Sequence, residues 1–89
     1  MKEAMLRISD AIRSTATQDG AILLDIRHGQ ILSLNRMGSA IFQMLKRGVE
    51  PSQIAREISR EFGANVTEVQ ADVLEFIESL QKHDVVEAS

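Results

Sequence analysis

At Leu34-Asn35-Arg36 the apolar pattern changes period from two to about 3.6, and this switch limits the folds open to the chain. Before it lie two short apolar runs, Ala21-Ile22-Leu23-Leu24-Asp25-Ile26 and Gln30-Ile31-Leu32-Ser33-Leu34, separated by Arg27-His28-Gly29. Gly29 can take the positive φ that a tight connection needs, so the pair is predicted to be a β-hairpin. Alternation puts Ile22, Leu24 and Ile26 on one face, joined across the turn by Leu32 and Leu34. Leu23 and Ile31 then fall on the opposite face, which implies partial cover for that side as well. A third strand from Ala11 to Thr15, with Asp19-Gly20 as the next turn, would complete a small sheet.

After the switch, three amphipathic helices are expected. Asn35 is a good N-cap, since its side chain can accept from the free N–H groups of a first helical turn. Met37, Ile41, Met44 and Leu45 form the apolar stripe of this helix, flanked by Ala40 and Phe42, and Gly48 is the expected stop. Pro51 suits the first turn of a second helix, where its missing N–H is not needed. Ile54, Ala55, Ile58 and Phe62 give that helix its buried face, and Gly63 ends it. Thr67 with Gln70 has the spacing of a capping box for a third helix. Val69, Val73, Phe76, Ile77 and Leu80 form its stripe, which fades by Asp84, and Val85-Val86 could add a short terminal strand. The expected class is α+β and winged-helix-like: a small antiparallel sheet of two to three strands, then three α-helices. Residues 1–10 are expected to be a flexible N-terminal segment and 11–89 one domain. Neither hairpin nor helices hold alone in water, so they must share one core.

Composition narrows the chemistry. The 89 residues include no Cys and only three aromatics, all Phe. Disulfides, thiolate metal sites and a cysteine nucleophile are thereby excluded, and a cytoplasmic location is the default expectation. No stretch of about 18 apolar residues could span a membrane, and no signal-peptide core is present. His28 and His83 lie far apart, without a second His at ligand spacing, so no metal or other cofactor is expected. Asp72, Glu75 and Glu78 spread over the polar side of the third helix as a solvated face. No phosphate loop, nucleotide fingerprint or nucleophile elbow appears, and catalysis is not expected.

Pro51 to His83 has the outline of a helix-turn-helix, whose last helix would enter a DNA major groove. That helix carries Glu68, Asp72, Glu75 and Glu78 against Lys82 alone, and the chain's net charge is −3. Phosphates would meet like charge, which argues against nucleic acid as a partner.

Ile31-Leu32-Ser33-Leu34-Asn35, followed by Gly38, Ile41 and Leu45, resembles the PqqD family. The resemblance continues through Gly48, Ile54-Ala55 and Ile58 and closes with Asp72-Val73-Leu74-Glu75-Phe76-Ile77-Glu78-Ser79-Leu80. It covers roughly Gly20 to Val86, and the order and spacing of the pieces carry it. The chain departs from several members with Leu32 and Ser33 where an aromatic and a larger apolar residue are often seen, and with Phe42 where Trp is frequent. The resemblance implies a RiPP recognition element. Such a domain binds the leader of a ribosomally made precursor peptide and presents it to a modifying enzyme, often a radical SAM protein. It catalyses nothing itself; members serve pyrroloquinoline quinone, lasso peptides and other modified peptides.

In that family the leader adds as a strand to the sheet edge and lies between the third strand and the third helix. Carried onto this chain, the strand side is the backbone of Gln30, Ile31, Leu32, Ser33 and Leu34, with Ile31 and Ser33 lining one side. At 100° per residue, Gln70, Leu74, Ile77 and Gln81 share one flank of the third helix beside Val73. Packing of Leu74 against the sheet or the N-terminal segment is the competing expectation, and core packing competes for Leu32 and Leu34. Self-pairing of the edge into a homodimer, or a DNA-binding regulator, are the alternative functions.

Overall fold

A computed structural model describes residues 6–88 of the 89-residue chain; Met1 to Met5 of the predicted N-terminal segment lie outside the described residues. The elements run β1 (Leu6–Ile8), β2 (Ile12–Thr17), β3 (Gly20–Asp25), β4 (Gln30–Asn35), α1 (Arg36–Lys46), α2 (Pro51–Phe62), α3 (Val66–Lys82) and β5 (Val86–Ala88). Strands β2, β3 and β4 form an antiparallel meander in that order, while β1 and β5 pair separately. The α+β class and the sheet-then-helices order agree with the pattern of the sequence. The β1–β5 ribbon joins the two ends of the described chain, with Arg7 opposite Glu87.

The meander corrects the predicted face assignment. Leu23 lies opposite Leu32 and Ala21 opposite Leu34, while Leu24 lies opposite Ile31 and Ile22 opposite Ser33. The inner face therefore takes Ala21 and Leu23, both buried, with Leu32 and Leu34 partly buried against the core. Ile22, Leu24 and Ile31 share the outer face and are exposed. The reason is the length of the turn. Ile26 belongs to a four-residue connection, 26–29, so the strands pair one residue out of the predicted phase, and a one-residue slip exchanges the faces. Gly29, at φ 63°, makes this connection as expected. At the other turn Gly20 is already the first residue of β3. A Cβ there would fall on the Leu34 carbonyl oxygen, so only glycine lets β4 approach this closely.

Asn35 caps α1, accepting from the Gly38 N–H at 2.7 Å, and Pro51 opens α2 as predicted. Gly48 and Gly63 follow α1 and α2 with positive φ. Helix α3 begins earlier than the Thr67–Gln70 spacing predicts. Asn65 is its cap, accepting from Thr67 and Glu68 N–H, so Thr67 already lies in the first turn. Leu23, Phe42, Ile54, Ile58, Val69, Val73 and Val85 share the centre of one core that unites sheet and helices.

Candidate functional site

The candidate site is built on β4. Its partner β3 is the middle strand, and among the described residues no strand pairs with the other side of β4. Ile26 N–H donates to the Ala11 carbonyl, which sets the alternation along β3. In an antiparallel ladder the backbone groups of Ile22 and Leu24 then turn towards β2, and those of Ala21, Leu23 and Asp25 towards β4. Across the register, Gln30, Leu32 and Leu34 exchange hydrogen bonds with β3. The N–H and C=O groups of Ile31 and Ser33 are left pointing to the open side.

Helix α3 passes this edge with Asp72 at one end and His83 at the other. A cleft of about 230 Å³ beyond the C-terminal end of β4 is lined by Asn35, Met37, Gly38, Ile41, Asp72 and Phe76. Phe76 reaches so near α1 that a Cβ on Gly38 would sit 3.2 Å from its ring. At the N-terminal end of β4, Gln30 shares a second cleft with His28, Lys82, His83 and Asp84. The two clefts show that α3 runs opposite in direction to β4, with Leu32 and Leu34 on the side of the sheet between them.

The sequence-predicted residues divide accordingly. Gln30 to Leu34 occupy the open edge. Val73 and Ile77 are core residues, 1% and 5% exposed. Leu74, 59% exposed, lies with Gln70 in a different cleft, against Pro51 and Ser52 at the start of α2, and Gln81 is exposed on the same flank. The flank that meets the β4 side is instead that of Asp72 and Phe76. Sequence periodicity places Leu74 and Phe76 on opposite shoulders of one stripe. Only the way α3 packs on α2 decides which shoulder turns towards the sheet. Gly38 is the local sign of the answer, because a glycine in mid-turn makes room for a large neighbour.

A polar cluster lies beside the N-terminal end of β4, where Asp25 is opposite Gln30. Asp25, 2% exposed, accepts from Arg27 Nε at 3.1 Å, from Arg27 N–H at 2.9 Å and from His28 Nδ1 at 2.9 Å. The Arg27 hydrogen bond, then that of His28, holds the Asp25 carboxyl well below the usual carboxylate range, against the opposing effect of burial. Arg27 also donates to the Asp84 carbonyl at 2.7 Å, tying the hairpin turn to the end of α3. Asp84 has φ 60°, which turns the chain from α3 into β5. Among the described residues no group of three His, Cys, Asp or Glu could hold a metal ion, and no helix is long and apolar enough to cross a membrane.

A three-stranded meander with an open last strand, backed by three helices, defines a winged-helix-like α+β domain with a cleft at each end of that open strand. The chain belongs to the PqqD family: the model of coenzyme PQQ synthesis protein D (PqqD) matches residues 20–86. It is similar in structure to TbiB1, solved in complex with the TbiA(beta) leader peptide, with a TM-score of 0.85 and 30% sequence identity over 91% of this chain and 94% of that one. It is also similar to lasso peptide synthetase B1, complexed with the leader peptide, with a TM-score of 0.86 and 27% identity over 94% and 99% of the two chains. No curated protein matches the chain. Neither the DNA-binding regulator nor the homodimerisation domain finds support in these relationships.

Proposed function

We propose that this chain binds the leader of a ribosomally made precursor peptide and presents it to a modifying enzyme, such as a radical SAM protein or another maturase. The leader adds as a strand to β4 and lies in the groove between β4 and α3. The observation that carries this reading is the open β4 edge, within a fold shared with two leader-peptide complexes. Strand addition supplies main-chain hydrogen bonds to any extended peptide, and pockets for alternate side chains supply selectivity. Here Ile31 and Ser33 offer the main-chain groups. Phe76 and Asp72 flank the inward-facing leader residues near Asn35, and Lys82 and His83 flank those near Gln30. The Leu74 shoulder is not part of the groove.

The chain's own part is to hold and orient the peptide, with no chemical step. An extended leader fixed along one edge delivers the following segment of the precursor at a constant place, which raises its effective concentration at a docked enzyme. Titrating isotope-labelled protein with the leader of a precursor encoded beside its gene tests the reading. Amide shifts are expected to cluster on Gln30–Leu34 and on Asp72, Phe76 and His83. Shifts confined to the Gln70–Leu74 flank, or none at all, would sink it.

A further inference from the structure

On the outer face of the sheet, the apolar side chain on the open edge strand is more exposed than its neighbour on the middle strand. Arg13 of β2 lies opposite Leu24 of β3, which lies opposite Ile31 of β4. Leu24 is 38% exposed and Ile31 70%, the highest among the exposed large apolar side chains of the described residues. Leu24 has a neighbour on each side, whereas Ile31 has one on the β3 side only. Natural edge strands resist further pairing with charges, proline or bulges. Gln30-Ile31-Leu32-Ser33-Leu34 contains none of these, while the opposite edge strand carries Arg13. The β4 edge is thus open in its backbone and unfinished in its outer row.

We propose that Ile31 is a specificity residue of the leader site, packing on the outer face of the sheet against an apolar side chain of the bound peptide. The proposal rests on the strand-addition reading above. A peptide strand paired to β4 places one residue directly opposite Ile31, with Cβ atoms roughly 4.5–5.5 Å apart and on the same face. This holds whether the added strand runs parallel or antiparallel, because directly opposed residues share a face in both ladders. The groove reads the inward residues of the leader, and Ile31 reads one outward residue. The adjacent outer row, Thr15–Ile22–Ser33, ends in a small polar side chain, so the leader residue opposite Ser33 is left unconstrained. The leader chosen by this chain carries a branched or aromatic residue at the one outward position and tolerates substitution two residues away.

The test measures affinity for a synthetic peptide spanning the leader of the precursor encoded beside the gene, using full-length chain. Ile31→Thr keeps a β-branched side chain but loses apolar surface, and it is expected to bind about 3- to 10-fold more weakly. Ile31→Val is expected to stay within about twofold of the parent. An alanine scan of the peptide should find one position whose replacement weakens binding to the parent but not to Ile31→Thr, the mark of a direct pair. Equal affinity and equal scan profiles for parent and Ile31→Thr overturn the proposal. If affinity is equal but modification by the enzyme falls, the outer row belongs to the enzyme. If Ile31→Thr changes only the mass at high concentration, the row belongs to a second copy. Either result also overturns it. Absence of peptide-induced shifts at Ile31 and Ser33 in the parent would instead defeat strand addition itself.

Discussion

Asp25 lies on the inner face of the sheet, where a carboxylate would ordinarily be costly. It stays ionised because the Arg27 guanidinium and backbone N–H and the His28 ring satisfy it together. Its pKa in the folded chain is shifted downward from the ordinary value of 3.8. The stabilisation it contributes is therefore complete above that value and is lost as pH falls below it, through the range where the folded carboxyl takes up its proton. Asp25→Asn is expected to lower stability at pH 7. The deficit should narrow as pH falls below 3.8, because the unfolded parent then takes up a proton that the folded carboxylate still refuses. Urea midpoints at a series of pH values check this, and a constant deficit across the series would show that the charge is not what matters. Asp25 shares the face of Leu23 by alternation, the face opposite the predicted Ile22–Leu24–Ile26 side. Its actual place follows from the register set by the 26–29 turn.

At the scale of elements, the helix boundaries are largely local chemistry. Asn35, Gly48, Pro51 and Gly63 do what their side chains or lack of one allow, and each is readable without the fold. Helix α3 shows where this stops, since Asn65 and Thr67 are both competent caps and only the backbone conformation chooses. Asn65→Ala is expected to cost about 1 kcal/mol of stability. Thr67→Ala should stay within about 0.5 kcal/mol, as for an exposed residue in a first turn. Denaturant midpoints for the two variants separate the caps directly. The same helix has two shoulders with different fates. Phe76→Leu is expected to reduce leader affinity several-fold, roughly 1 kcal/mol. Leu74→Ala should leave it within about twofold, since Leu74 faces the start of α2. A titration giving the reverse order would move the site to the Leu74 flank.

Across the whole molecule, two isoleucines show how much depends on tertiary context. Ile54 of α2 is fully buried in the core, and Ile31 stands largely in solvent on an edge. Ile54→Ala is expected to cost about 2–5 kcal/mol through lost burial and a residual cavity. Ile31→Thr should change stability by about 0.5 kcal/mol or less. Thermal and urea unfolding would measure both, and comparable losses would contradict the outer placement of Ile31. The change of hydrophobic period at Leu34-Asn35, the caps and the breakers were enough to establish a hairpin-containing sheet followed by three helices, because they act over a few neighbouring residues. They also carried the family pattern from Gly20 to Val86. The faces of the hairpin, the strand at Leu6–Ile8 and the shoulder of α3 that meets β4 were not legible in this way. Each depends on contacts between residues far apart in the chain, and a periodic pattern states which residues share a face without stating what that face will meet.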